Sequence, residues 1–223
     1  MRVPILGYIL TALAAYLLGS VPFGFLAAKA KGIDIRSVGS GNIGATNAMR
    51  VLGKPAGIFV LLADALKGFA ACYLGAFIFV WISELDFFDD AFYVLLKRFM
   101  VVAGICAVLG HNYTCWLKFK GGKGIATTAG VYLALAPWAV LVALIVFILA
   151  VLVTKYVSVG SISAAIALPV TVWLMSPQNL FLGIVTTALG ALAIYKHKSN
   201  LQRLRAGTES RLGKKTSTPE TTK

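Results

Sequence analysis

The chain is 223 residues long, 59% hydrophobic and only 13% charged, yet it carries 21 Lys and Arg against 8 Asp and Glu, a formal net charge of +13. A soluble domain has about 25% charged residues, so a water-facing globular surface is excluded; so are disorder and a collagen-like chain, because the 22 glycines follow no three-residue period. Cys72, Cys106 and Cys115 form no CxxC pair, so neither a disulfide scaffold nor a metal site is expected.

Runs long enough to cross a bilayer, about 17 to 25 residues, cover most of the chain, and without hydrogen-bond partners in lipid they must be helical. The first, near 3–28, follows a charged region of only Met1-Arg2 and continues past the small residues Ala12 and Ala14, so a retained helix is expected rather than a cleaved signal. A basic loop follows with Lys29, Lys31, Arg36, Arg50 and Lys54, then a helix near 55–83 and an acidic loop with Glu84, Asp86, Asp89 and Asp90. A helix near 92–110 leads to a second basic loop with Lys118, Lys120 and Lys123. The stretch 124–154 has Pro137 near its middle and reads as one long helix or two short ones. Helices near 159–176 and 178–195 precede a tail that carries eight basic residues from Lys196 onward.

Cytoplasmic loops collect Lys and Arg, so both basic loops and the tail belong on the cytoplasmic side. That parity requires an even number of crossings after Lys123, which two short helices meeting at Pro137 provide. The expectation is an all-α, polytopic membrane bundle of seven transmembrane helices, N-terminus outside and C-terminus cytoplasmic. A single transmembrane domain spans 1–209, and 210–223 forms a disordered, polar basic tail.

The basic loops are also rich in Gly, Asn and Ser. Gly39-Ser40-Gly41-Asn42-Ile43-Gly44-Ala45-Thr46-Asn47 imitates a dinucleotide fingerprint, but no strand precedes it and no βαβ unit is available. What survives is a loop whose backbone N–H groups and Ser40, Asn42, Thr46 and Asn47 side chains can face an anion, with the Arg50 fork beside them. A flexible positive-inside loop accounts for it equally. The second basic loop starts at His111, either a capped or a ligand-facing histidine. It lacks the Walker pattern, since Gly124 follows Lys123, yet Lys120 and Lys123 bracket Gly121-Gly122 in a compact cationic turn. Ser158 and Ser161 return to the same side, and His197 and Asn200 are i, i+3 neighbours on one helix face. Asp64 and Lys67 have the same spacing inside a membrane helix and read best as a structural ion pair. Together these groups ask for a multiply anionic small molecule, most simply a phosphate; no nucleic acid is indicated.

This set resembles the bacterial acyl-phosphate:glycerol-3-phosphate acyltransferase family of integral membrane enzymes. Residues 39–47 are similar to its first motif, Gly110-His111 through Phe119-Lys120-Gly121-Gly122-Lys123-Gly124 to its second, and His197-x-x-Asn200-x-x-Arg203-Leu204-x-x-Gly207-x-Glu209 to its third. Thr114, Trp116, Lys196 and Leu201 depart from the residues usual there, Pro, Phe, Arg and Ile. The resemblance implies transfer of an acyl group from acyl phosphate to the 1-hydroxyl of sn-glycerol 3-phosphate, yielding lysophosphatidate and inorganic phosphate as the first step of bacterial phospholipid synthesis. It implies an enzyme of the bacterial inner membrane whose site faces the cytoplasm, needing no cofactor, with membrane lipid and an upstream acyl-phosphate-forming enzyme as partners. His197, Asn200, Ser40, Arg50 and Lys120 are the expected catalytic residues. Asn42, Thr46, Asn47, His111, Lys123, Ser158 and Ser161 join them in substrate binding. The HxxxxD pair of other glycerolipid acyltransferases is absent, since Trp116 and Gln202 stand at the fifth position after each histidine. A transporter or channel for phosphate esters is the alternative reading, weakened by the absence of a visible inverted repeat.

Overall fold

The computed structural model describes residues 5–213. Ten α-helices occupy them: α1 (Ile5–Ser20), α2 (Phe23–Lys29), α3 (Ala45–Leu52), α4 (Lys54–Ile82), α5 (Asp90–Asn112), α6 (Ile125–Leu135), α7 (Pro137–Thr154), α8 (Val157–Met175), α9 (Leu180–Lys196) and α10 (Lys198–Arg205). Five spans are long and apolar enough to cross a membrane: Ile5–Lys29, Lys54–Ile82, Asp90–Leu117, Pro137–Thr154 and Val157–Met175. The α9–α10 pair, bent by 50°, makes a sixth if it is counted as one. The protein is a multi-pass integral membrane helix bundle.

The break between α6 and α7 falls at Ala136, as Pro137 predicts: proline has no N–H to continue α6 but suits the first turn of α7. At 11 residues α6 is short, and it survives because it is enclosed, with Thr127, Gly130, Val131 and Tyr132 buried. Gly130 makes this enclosure possible, since a Cβ there would lie 1.8 Å from the Ala65 carbonyl oxygen of α4.

The first apolar run is broken where a continuous helix is expected. Pro22 interrupts it between α1 and α2 and leaves carbonyls without helical donors. Lys67 Nζ, buried on α4, reaches the Val21 oxygen at 2.8 Å, and Thr114 Oγ1 donates to the Ser20 oxygen at 2.6 Å. Asp64 lies 2.7 Å from Lys67 Nζ and balances its charge. The ion pair therefore serves the fold, because it lets a buried ammonium satisfy a proline break inside the membrane.

At the end of the bundle near the acidic loop, Phe79, Phe92 and Phe99 interlock, with ring centroids 5.1 and 5.2 Å apart from Phe79, and Tyr8 stacks on Phe99 at 4.2 Å. The start of the expected disordered tail is docked: the Leu212 N–H donates to the Lys155 oxygen at 2.8 Å and Arg211 Nε to the Tyr156 hydroxyl at 3.0 Å. Both contacts tie the chain to the α7–α8 turn. The rest of that tail, 214–223, lies outside the described residues.

Candidate active site

A cavity of about 140 Å³ opens where the glycine-rich segments meet. Ser40, Asn42, Thr46 and Arg50 reach it from the first motif, Lys123 from the loop before α6, Ser158 and Ser161 from α8, and His197 and Asn200 from the α9–α10 bend. Four segments remote in sequence thus end on one small polar space.

Three helices aim their N-termini at it. α3, α6 and α8 begin after Gly44, Gly124 and Tyr156, none of which caps its helix with a side chain, and Gly44-Ala45-Thr46, Gly124-Ile125 and Val157-Ser158 all line the cavity. Uncapped first-turn N–H groups and the positive ends of the helix dipoles make such a point an anion site. Ser158 is buried there and faces the Glu209 carboxylate, whose ionised form it favours.

The charged groups are held in sequence. Arg203 Nε binds Glu209 Oε2 and Asn200 Nδ2 binds Glu209 Oε1, each at 2.7 Å, and Lys123 Nζ donates to Asn200 Oδ1. Burial pushes the Glu209 carboxyl up, but the bonds from Asn200 and Arg203 outweigh it and hold it below its usual value. Burial, with the Arg203 and Arg50 charges adding to it, brings Lys123 down to about 8. Burial and then the neighbouring Lys123 bring His197 down to about 4, so the imidazole is neutral near pH 7. Its Nδ1 sits 2.7 Å from the Ala193 oxygen. A carbonyl oxygen only accepts, so Nδ1 carries the proton and Nε2 keeps a lone pair.

Four expectations change. Lys120 is exposed and lines no part of the cavity, because Lys118 (φ 53°) and Phe119 (φ 60°) form two successive left-handed residues that turn it outward. Asn47 borders the cavity, but its amide organises the loop: Oδ1 accepts from Ser40 N at 2.8 Å, and Nδ2 donates to Val38 and Asn42 oxygens at 3.1 and 2.9 Å. His111 is buried, with Nδ1 3.4 Å from Asp64 Oδ1, and its ring backs Gly122, where a Cβ would lie 2.2 Å from Nε2. It therefore supports the second motif from behind while bordering the cavity. Ser161 also lines the cavity, but its hydroxyl donates to the Val157 oxygen at 3.0 Å. Glu209 and the three helix N-termini were not expected from the residues alone; Glu209 had a signal in its place in the third motif, the N-termini had none beyond the glycines.

An apolar groove of about 290 Å³ adjoins the polar cavity and shares Leu61, Ile125, Ala126 and Phe147 with it. It runs between α4, α6, α7, α8 and α9, past Ala129, Leu144 and Leu168.

The model of the family described as "Glycerol-3-phosphate acyltransferase" matches residues 9–207. The chain belongs to that family. Among its relatives, the glycerol-3-phosphate acyltransferase of Geobacter metallireducens is 49% identical over 207 residues, covering 91% of this chain and 96% of the relative. That of Trichlorobacter lovleyi is 47% identical, covering 88% and 93%. Among solved structures, PlsY (YgiH), an integral membrane glycerol 3-phosphate acyltransferase in its glycerol 3-phosphate form, superposes with a TM-score of 0.81 at 37% identity, covering 92% of this chain and 96% of that one. Its lysophosphatidic acid form gives 0.77. For this acyltransferase the departures in the second motif are structurally accommodated. Thr114 is fully buried, accepts from Trp116 N at 3.4 Å and caps the short turn Cys115–Leu117, while Trp116 faces outward.

Proposed function

We propose that the chain transfers a fatty acyl group from acyl phosphate to the 1-hydroxyl of sn-glycerol 3-phosphate, releasing lysophosphatidate and inorganic phosphate. The observation that carries this reading is the junction of the two cavities: a space built for phosphate opens sideways onto an apolar groove fit for an acyl chain. An acyl phosphate has that same division, and so does the product.

An acyl phosphate is a mixed anhydride with a good leaving group, so the protein's work is positioning and charge stabilisation. Arg50, Ser40 and the α3 N-terminus hold glycerol phosphate. Lys123, Ser158 and the α6 and α8 N-termini hold the donor phosphate and the negative charge that develops on the acyl oxygen. His197, neutral and with Nε2 free, orients the 1-hydroxyl with Asn200. The hydroxyl oxygen bonds to the acyl carbon, the carbon–oxygen bond to phosphate breaks, and the hydroxyl proton passes to His197 Nε2 or to the departing phosphate.

The topology that goes with this activity has seven crossings, made by α1 with α2, then α4, α5, α6, α7, α8 and α9, with the cavity at the cytoplasmic face of the bacterial inner membrane. It is supported by the meeting of the first motif, Lys123, Ser158 and His197 in one cavity, which puts all four at one end of the bundle. The Lys and Arg of the adjoining loops give that end its direction. An upstream acyl-phosphate-forming enzyme would supply the donor.

Detergent-purified protein given acyl phosphate and glycerol phosphate should release inorganic phosphate and form lysophosphatidate without sealed vesicles. His197→Ala, purified intact, should lose at least tenfold in turnover; wild-type turnover in that variant would remove the role given to His197. A reporter enzyme fused after Lys198 and active only outside the cell would overturn the topology.

A further inference from the structure

Lys123 has a second face. Adjoining the active-site cavity lies an open pocket of about 320 Å³ that shares Lys123 and Asn42 with it and adds Tyr113, Tyr195, Lys196 and Lys198. Among the described residues, no Asp or Glu lines it. Its two further ammonium groups are fixed by weak local contacts: Lys196 Nζ donates to the Asn112 oxygen at 2.9 Å and lies 4.3 Å from the Tyr113 ring centre, and Lys198 Nζ lies 4.9 Å from that of Tyr195. An ammonium has three N–H donors, so each retains donors for a ligand. Three cations around one pocket, with no carboxylate lining it among the described residues, form an incomplete set, and the missing member is an anion.

We infer that this pocket is a second phosphate subsite, a vestibule in which a small phosphate dianion docks before or after it occupies the active-site cavity, handed across Lys123. The inference rests on the proposed reaction, which handles two such species: glycerol phosphate coming in and inorganic phosphate going out. The donor is too apolar to use this route, since its acyl chain belongs in the groove on the lipid side of the active-site cavity. The pocket therefore separates the water-soluble traffic from the lipid traffic.

The test is steady-state kinetics on Lys198→Glu, with Lys54→Glu as a control that reverses an exposed charge away from the pocket. Reversing the charge should raise KM for glycerol phosphate about fivefold if the incoming substrate docks there, or raise the inhibition constant for inorganic phosphate by that factor if the leaving group does. Turnover number and KM for acyl phosphate should stay within about twofold of wild type in either case. Should Lys198→Glu fail to purify as a monodisperse species, Lys198→Gln should show the same change at roughly half the size. The inference is overturned if neither constant moves, or if Lys54→Glu moves them equally. Absence of turnover in the wild type would count against the proposed reaction alone; the pocket is then tested by the rise in melting temperature with inorganic phosphate, which must be smaller in Lys198→Glu than in Lys54→Glu.

Discussion

The two ends of this bundle are built on opposite plans. Near the acidic loop, Tyr8, Phe79, Phe92 and Phe99 fill the space between helices, Asp89 caps α5 by accepting from Ala91 N at 2.8 Å, and Trp81, Phe87 and Phe88 are exposed. At the motif end the interior holds His197, Asn200, Ser158 and Glu209, and three helices begin without side-chain caps. One end satisfies its polar groups and stacks its rings; the other leaves donors unmatched around an anion-sized space. The difference teaches where binding energy is stored: an end that keeps uncapped N–H groups around a polar cavity trades stability for readiness to hold charge.

Substitutions should respect that division. At the motif end, Arg50→Ala should lower kcat/KM for glycerol phosphate, and Lys123→Ala that for acyl phosphate, by roughly a hundredfold to a thousandfold while melting temperatures in detergent stay near wild type. Lys67→Met tests the exception, a polar group that serves the fold rather than the substrate. It leaves Asp64 buried without its cation and the Val21 oxygen without its donor, and should cost about 3–5 kcal/mol, read as a large drop in melting temperature.

The pH profile probes the same contrast within the site. Lys123 is held down to about 8 in the free protein, so its charge, and with it phosphate affinity, is present below that value and lost as pH rises through it. The log of kcat/KM for acyl phosphate should therefore turn downward above about pH 8. A phosphate monoester is already dianionic there, with its second ionisation near pH 6, so the limb belongs to the enzyme. Lys123→Arg should push the limb beyond the measurable range.

Smaller effects complete the comparison. Phe79→Leu at the aromatic end should cost about 1 kcal/mol of stability with kcat and KM unchanged. Lys120→Ala should change kcat/KM less than twofold, because the exposed Lys120 touches neither cavity. A tenfold loss there would show that the second motif rearranges when substrate binds.

Much of this protein is legible in one dimension. Apolar runs identified the long helices to within a few residues: the run near 55–83 is Lys54–Ile82, and that near 178–195 is Leu180–Lys196. Pro137 placed the α6–α7 break. Pro22 carried the same signal, but the apolar run continues through it and masks the break; α3 was hidden within a polar loop whose short amphipathic turns give no span-length pattern, and the 50° bend at His197 between α9 and α10 had no signal in the i, i+3 spacing. The motif residues could be named, but their division of labour could not, since Asn47 and Asn42 look alike in a glycine-rich loop until hydrogen bonds assign Asn47 to its interior.

Composition and charge by themselves determined that this is a helical membrane protein with its basic groups gathered in a few loops, because continuous apolar runs of span length satisfy their backbone in hydrocarbon as helices, and hydrocarbon admits little charge. Motif order added the family and the anionic substrate. Tertiary structure decided which lysine reaches the cavity, since two left-handed residues at Lys118 and Phe119 turn Lys120 out while Lys123 is carried in against Asn200. It also decided why the cavity suits an anion. Three helix N-termini separated by some 30 to 80 residues of chain converge there, and a dipole acts through the point in space where it ends, which no local spacing encodes.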